Sequence, residues 1–149
     1  MSENLQLVCP NCQTINRVPA SRLADGPRCG KCQHELLDGR VRELTSVSFN
    51  KVVNNTDLPV VINFWASWCG HCRNFEPVFD EAAQKLKLQV RLFRIESEEE
   101  PELIRRFAVM GMPTHIILQN GREIARQSGA MQLSLLMQWL DSYLKLNSI

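Results

Sequence analysis

The sequence predicts an α/β domain preceded by a small four-cysteine module. Two observations predict this division: the six cysteines form three pairs with two residues between partners, and all ten aromatic residues lie after position 40. Residues 1–38 hold two of the pairs, four basic residues and four acidic residues, too little apolar surface for a core. We therefore expect a zinc-binding module over 1–38 and a core-forming domain over 39–149, divided at the Asp38-Gly39 turn dipeptide.

Composition limits the classes of function. The 149 residues carry 17 Lys and Arg against 16 Asp and Glu, a net charge of +1, so the chain lacks the positive field that draws proteins to nucleic acids or anionic membranes. The start, MSENLQLVCP, lacks the basic and apolar regions of a signal peptide. We expect a cytoplasmic location, where cysteines more often bind metals or do redox chemistry than form structural disulfides.

The first half of the larger domain reads as helix, strand and helix. Phe49, Val52 and Val53 repeat at helical spacing, and the run from Val60 to Trp65 predicts a strand buried on both faces, which favours a parallel sheet. A long helical pattern follows Cys69, and we expect Pro77 to bend that helix because proline removes a backbone donor.

The second half alternates in the same way. Val90 to Ile95 predicts a strand, and the acidic run before Pro101 suits the start of a helix. The Asn120-Gly121 dipeptide between two apolar runs predicts a β-hairpin. Apolar residues at helical spacing over 133–144 predict a closing amphipathic helix.

The first four cysteines predict one zinc ion per chain. Cys9 and Cys12 are followed after sixteen residues by Cys29 and Cys32, and two such turns can supply the four thiolates of a tetrahedral structural site. Two independent redox pairs or idle thiols are the alternative, but the segment would then have nothing to stabilise its fold. Because four sulfurs complete the site, we expect His34 to be a solvated surface imidazole rather than a ligand.

The third pair predicts redox chemistry. Cys69 and Cys72 follow a buried strand and open a helix, whose free N–H groups and dipole should lower the pKa of Cys69. Cys72, one turn later and expected to be more enclosed, is placed to attack a mixed disulfide formed at Cys69. We therefore predict that Cys69 is the nucleophile and Cys72 the resolving thiol.

These motifs resemble those of the thioredoxin family over about residues 40–149. With the four-cysteine module in front, the chain is similar to the zinc-binding bacterial thioredoxins often called thioredoxin 2. The resemblance implies the thioredoxin fold, a central mixed β-sheet flanked by helices, with an N-terminal zinc ribbon. The matching residues are Phe64-Trp65-Ala66, Trp68-Cys69-Gly70-His71-Cys72, Pro77, Met112-Pro113-Thr114, Asn120-Gly121 and Gly129.

The resemblance also implies a substrate-binding surface. Pro113 is expected to be cis, which leaves the Met112 backbone free to pair with an extended substrate segment beside Cys69. Gly111 and Gly129 are expected to keep the groove open. The same surface should include Trp68 and Gly70, whereas Trp65 should be a packing residue, and Met110 is equally compatible with a contact residue and with a core residue.

Three positions depart from the commonest thioredoxin pattern. His71 stands where thioredoxins usually have proline, and Cys-Gly-His-Cys is typical of disulfide isomerases, so we expect His71 to tune the pair towards a higher potential. Asn63 replaces the buried carboxylate thought to accept the resolving thiol's proton. Arg94 replaces the lysine that pairs with that carboxylate.

The sequence therefore predicts a protein-disulfide reductase acting through Cys69 and Cys72 and recycled by an NADPH-dependent thioredoxin reductase. We expect a monomer with zinc as its metal and no bound organic cofactor. A disulfide isomerase or oxidant is the alternative that His71 favours. A further alternative is a zinc-dependent binding or redox-sensing module on a thioredoxin scaffold.

Overall fold

A computed structural model of the chain describes residues 3–147, which contain two separate β-sheets. The smaller sheet is an antiparallel ribbon of β1 (Asn4–Val8) and β2 (Ile15–Pro19). A 3-10 helix (Ala20–Asp25) follows and leads to the second pair of cysteines. The ribbon has a small cysteine-rich core, in which Leu7 and Val18 form one buried cluster with cysteine side chains and with Leu36 and Leu37.

The larger sheet has five strands in the order β3-β5-β4-β6-β7. Its central strand β4 pairs parallel with β5 and antiparallel with β6, so the sheet is mixed and only the β3-β5-β4 half is parallel. The two residues of β3 are too few to show a sequence pattern, and the sequence did not predict that strand. The strands are β3 (Arg42–Glu43), β4 (Val60–Trp65), β5 (Arg91–Glu96), β6 (Thr114–Gln119) and β7 (Arg122–Ser128).

Four helices cover the two faces of this sheet: α1 (Phe49–Asn54), α2 (Gly70–Lys85), α3 (Pro101–Phe107) and α4 (Leu133–Leu144). Apolar side chains of α1 and α3 pack on one face, and those of α2 and α4 pack on the other. Full burial of each large apolar side chain contributes about 1.5–3 kcal/mol. Successive side chains of β4 are buried on opposite faces of the sheet, and Val61 lies on the face that packs against the cysteine-bearing helix α2.

The predicted hairpin joins β6 to β7. Asn120 and Gly121 lie in the left-handed region, with φ of 53° and 78°, as a two-residue hairpin turn requires. This turn returns the chain antiparallel to β6 and brings Gly129, just past the end of β7, back beside the start of β6.

The ribbon and the larger domain are joined by hydrogen bonds and apolar contacts. The N–H of Gln6 donates to Asp57 Oδ2 at 2.6 Å, and the N–H of Asp57 donates to the carbonyl of Gln6 at 2.9 Å. Val8 packs into the core of the larger domain, and Leu58 packs on the cysteine-rich core. The two parts therefore share buried surface.

None of the helices within residues 3–147 combines the length and apolarity needed to cross a membrane.

Candidate redox site and metal centre

The third cysteine pair lies where β4 gives way to α2. Cys69 is the N-cap of α2 with an extended backbone, and its Sγ accepts a hydrogen bond from the N–H of Cys72 at 3.1 Å. The two residues form a disulfide with their Cα atoms 5.2 Å apart. The helix start thus aims a backbone donor at Cys69 Sγ, which favours negative charge on that sulfur when the pair is reduced.

Exposure does not distinguish the two thiols. Cys69 is 6% exposed and Cys72 is 5% exposed, so both side chains are buried to nearly the same extent and burial does not assign their roles. Both residues belong to a buried cluster with Ala66, and Met112 packs against that cluster. Position on the helix, and not burial, separates the two sulfurs, because only Cys69 stands at the cap.

Exposed residues surround the disulfide. Trp68 is 66% exposed and precedes Cys69, while Gly70 and His71 are exposed on the first turn of α2. Arg73 donates from Nη1 to the carbonyl of Ser67 at 2.7 Å and so ties the helix to the loop before it. Trp65, by contrast, is half-buried against the disulfide and donates its ring N–H to Glu43.

A second loop borders the disulfide. The Met112–Pro113 peptide bond is cis, as expected, and the N–H of Gly129 donates to the carbonyl of Pro113 at 2.9 Å. A Cβ atom added to Gly111 or Gly129 would meet no atom within 4 Å, so space beside both glycines is open. Met110 is 95% exposed, which excludes a core role for that residue.

Beneath the redox pair, the structure shows a buried contact that the sequence did not reveal. Asn63 on β4 lies opposite His115 on β6, and Asn63 Nδ2 is 3.1 Å from His115 Nδ1. Burial lowers the pKa of His115 to about 4. The one available signal was a histidine at the start of the otherwise apolar run His115-Ile116-Ile117-Leu118.

Arg94 does not take part in this buried contact. It neighbours Asn63 in the β4–β5 register, but its Nη2 donates to Asp80 Oδ1 at 2.7 Å and to the carbonyl of Glu76. The partner of Asn63 is therefore supplied by β6 on the opposite side of β4. Asn63 and Arg94 thus stand where a carboxylate and a lysine are usual in the family, but their side chains bind different partners and do not form a pair of their own.

The first four cysteines form a compact group. Their four sulfur atoms lie within 4.8 Å of one another, with Cys9 and Cys32 3.5 Å apart and Cys12 and Cys29 3.6 Å apart. A tetrahedral zinc ion bound at about 2.3 Å holds its sulfur ligands roughly 3.8 Å apart. The donor set and its spacing therefore fit a metal ion of this kind.

N–H groups surround the sulfurs. The backbone N–H of Cys32 lowers the pKa of Cys29 to about 6 despite its burial, and the side-chain amide of Asn16 contributes. The side chain of Asn11 lowers the pKa of Cys32, whereas burial raises the pKa of Cys9 to about 11. Donors of this kind stabilise metal-bound thiolates and orient them.

His34 lies outside the four-sulfur group, as expected, but it is not a free surface imidazole. Its ring Nε2 is 3.0 Å from Asp38 Oδ2 and the side chain is about one-third exposed. Asp38 also pairs with Arg42. Although burial raises the pKa of Asp38, the hydrogen bonds from His34 and from the N–H of Arg40 hold it below its usual range. His34 therefore belongs to a polar cluster at the junction.

Comparison with known families covers both parts of the chain. The thioredoxin family model matches residues 40–142. A second family model, described as the N-terminal part of thioredoxin 2 and named as a zinc ribbon, matches residues 8–34. The two matches span the redox pair and the four-sulfur group, respectively.

Several proteins named as thioredoxins are similar in sequence to this chain. Thioredoxin C-3 from Corynebacterium nephridii is 40% identical over 139 residues, which cover 93% of this chain and 95% of that relative. A thioredoxin from Rickettsia felis is 33% identical over 98 residues, 66% of this chain and 93% of the relative. A thioredoxin from Porphyra purpurea is 33% identical over 104 residues, 70% and 97% of the two chains.

Proposed function

The chain belongs to the thioredoxin family and is a thiol–disulfide oxidoreductase that reduces protein disulfides, and on that premise we propose that Cys69 is its attacking thiol and Cys72 its resolving thiol. One observation carries the assignment of roles. Cys69 Sγ is the N-cap acceptor of α2, with the N–H of Cys72 3.1 Å away. That position stabilises a thiolate at Cys69 more than at Cys72.

The reaction is two successive exchanges. The Cys69 thiolate attacks one sulfur of the substrate disulfide, the substrate S–S bond breaks, and the departing substrate thiolate takes up a proton. Cys72, after losing its proton, attacks Cys69 Sγ in the mixed disulfide and releases the second substrate thiol. Two electrons pass from the dithiol to the substrate, and the protein ends as the Cys69–Cys72 disulfide.

We propose that substrate binds on the surface beside this pair. The exposed ring of Trp68 and the backbone at Gly70 form one side, and the loop of Met112, Pro113 and Gly129 forms the other. The half-buried side chain of Met112 packs against the cluster that contains both cysteines, and the space at Gly129 is open. An extended segment of a protein substrate fits such a groove because backbone groups remain available on the loop.

Recycling of the disulfide requires an electron donor. We propose an NADPH-dependent thioredoxin reductase as that partner, with the chain acting as a monomer and without a nucleic-acid or membrane partner. A cytoplasmic location belongs to this proposal because sustained reduction of disulfides requires a reducing compartment.

Residues 1–38 are proposed to be a zinc module, with one ion held by Cys9, Cys12, Cys29 and Cys32. Such an ion supplies folding free energy through its bonds to sulfur, which the small ribbon needs. We propose that the thioredoxin domain covers 39–149 and begins at Gly39, whose φ of 74° supports a turn there.

A disulfide isomerase or oxidant is the second candidate function. The exposed His71 beside Cys69 favours it, since an imidazole near the thiolate stabilises the reduced form and makes the disulfide more oxidising. Equilibration with glutathione distinguishes the two, because a reductase has the lower potential.

Mixed-disulfide trapping tests the assignment of roles. A Cys72→Ser variant incubated with oxidised insulin should accumulate an adduct through Cys69, and Cys69→Ser should accumulate none. Mass spectrometry of the digested adduct identifies the cysteine. An adduct through Cys72 in the second variant would reverse the assignment. Turnover with NADPH and thioredoxin reductase tests the recycling partner separately.

A further inference from the structure

A buried polar contact crosses the centre of the larger sheet. Asn63 is 3% exposed and His115 is fully buried, and the two lie opposite each other on β4 and β6. The ring of Phe75, one turn beyond Cys72 on α2, packs on the His115 ring at a centroid distance of 4.5 Å. The imidazole therefore lies directly beneath the helix that carries the redox pair.

Hydrogen-bond partners fix the tautomer of His115. Its Nε2 is 2.9 Å from the carbonyl oxygen of Gly129, which can only accept, so Nε2 carries the hydrogen. Nδ1 is then the acceptor and receives the Nδ2–H of Asn63 at 3.1 Å. The burial that lowers the pKa of His115 to about 4 keeps the ring neutral at neutral pH, as this pattern requires.

Gly129 is thereby held from two sides. Its carbonyl accepts from His115, and its N–H donates to the carbonyl of Pro113 at 2.9 Å. Its φ of 97° is a conformation that glycine adopts without strain. Pro113 follows Met112, which packs against the cluster of Ala66, Cys69 and Cys72, so a continuous set of contacts joins His115 to the rim of the redox site.

We propose that His115 is a positioning residue for protein-disulfide reduction: its imidazole, oriented by Asn63, holds the Gly129 carbonyl and so fixes one wall of the groove beside Cys69. The inference rests on the proposed function, in which Gly129 borders bound substrate. In this role His115 exchanges no proton with either cysteine. It acts by holding the loop that an extended substrate segment contacts.

Two disulfide probes separate positioning from an effect on the thiols. Insulin presents a disulfide within a peptide that needs the groove, whereas 5,5′-dithiobis(2-nitrobenzoate) is a small disulfide that does not. We expect His115→Leu to lower the rate constant for insulin reduction by about two- to tenfold, which corresponds to the free energy of one lost hydrogen bond. The rate constant for reduction of the small disulfide should stay within about twofold of the wild-type value.

His115→Gln supplies the conservative rescue, because its side-chain amide can still donate to the Gly129 carbonyl. We expect it to recover most of the insulin rate. Ile117→Val is the matched control, since Ile117 lies on the same strand and the same face without a polar contact, and it should leave both rates unchanged. Equal losses for both probes in His115→Leu, no loss for insulin, or no recovery by glutamine would each overturn the proposal.

A measurement on the unmodified protein covers the case in which the leucine variant fails to fold. Nitrogen-15 NMR of the His115 ring at pH 7 should show a protonated Nε2 and an unprotonated Nδ1. The opposite tautomer or a charged ring would overturn the proposal. Failure of the proposed function is distinguishable, because the Cys72→Ser variant would then trap no adduct through Cys69, whatever the His115 variants do.

Discussion

Arg91 Nη1 donates a hydrogen bond to the main-chain carbonyl of Leu36, 3.0 Å away, across the junction between the cysteine module and the larger sheet. The Arg91 side chain is buried, and burial lowers its pKa to about 10, so it is a buried cation at neutral pH. The nearby carboxylate of Asp38 partly compensates that charge. This residue of β5 thus anchors the segment that follows the fourth cysteine.

We predict that Arg91→Leu lowers the free energy of unfolding by about 2–3 kcal/mol, because the Leu36 carbonyl then stays buried without a donor. Urea unfolding followed by fluorescence measures the change, and limited proteolysis shows whether the module loosens first. Arg105→Leu is the control: Arg105 is exposed on α3, and its loss should change stability by no more than about 0.5 kcal/mol. Equal effects of the two substitutions would contradict the anchoring role.

The redox motif was predictable because its information is local. Position after a buried strand and at a helix start follows from residues 60–86 alone, and the structure places Cys69 at that cap. Local signals likewise predicted the helices and the hairpin: hydrophobic periodicity for α1, α2 and α4, the acidic run before Pro101 for α3, and the Asn120-Gly121 dipeptide for the hairpin. These features depend on residues close together in the sequence, so a single sequence is enough to predict them.

Contacts between distant strands were not predictable in the same way. Asn63 was recognised as unusual, but its partner His115 is 52 residues away and is set by the β4–β6 register. A single sequence shows which residues form strands but not which residues lie opposite one another. The Arg91–Leu36 contact, 55 residues apart, was missed for the same reason.

We predict one zinc ion per chain and a measurable role for Asn16 in holding it. Asn16 donates to Cys29 Sγ at 3.5 Å, and its Oδ1 accepts the N–H of Gly30 at 2.9 Å. Loss of such a supporting contact typically costs about 10- to 100-fold in metal affinity. Competition with a chromogenic chelator should show that loss in Asn16→Ala, and Asn4→Ala, at the exposed end of β1, is the control.

Metal analysis of the reduced protein should give close to one equivalent of zinc. Less than half an equivalent of zinc would contradict the assignment of the first four cysteines as its ligands. Removal of the metal should expose the β1–β2 ribbon to hydrogen exchange while the Cys69–Cys72 pair still reduces a small disulfide, since the redox helix packs on the other sheet.

His71→Pro is predicted to lower the reduction potential. Thioredoxins lie near −270 mV and disulfide isomerases near −180 mV, and an exposed imidazole beside Cys69 should account for part of that difference. We expect a fall on the order of tens of millivolts, or roughly 1–3 kcal/mol, measured by equilibration with glutathione. His34→Gln is the control, because His34 lies in the junction cluster. An unchanged potential in His71→Pro would refute the tuning role.

Asn63→Asp tests how the missing carboxylate bears on resolution. A carboxylate at position 63 would face His115 Nδ1 at the present 3.1 Å contact, and the two would form a buried ion pair instead of leaving a base for Cys72. We therefore expect the single variant to speed resolution little. The double variant Asn63→Asp, His115→Ile should be faster by about tenfold or more, because the carboxylate is then free to accept a proton.

Stopped-flow measurement of mixed-disulfide decay distinguishes these cases. The single substitution His115→Ile provides the baseline for the double variant. If Asn63→Asp alone gives the full acceleration, then His115 does not compete for the carboxylate and the ion-pair argument is wrong.

Because the His115 imidazole is buried, the free energy of unfolding should also depend on pH. In the unfolded chain His115 takes up a proton below its ordinary pKa of 6.5, whereas in the fold its pKa is about 4. Between these values the unfolded state binds more protons, so the contribution of His115 to stability is present above pH 6.5 and is lost as the pH falls towards 4. At about 1.4 kcal/mol per pKa unit, this loss amounts to about 3 kcal/mol.

Urea unfolding of the wild type and of His115→Gln at pH 7 and pH 4 isolates the contribution of His115, because the other acid-titrating groups are common to both proteins. The wild type should lose about 3 kcal/mol more than the variant over that interval, and equal losses would show that the ring accepts a proton inside the folded protein.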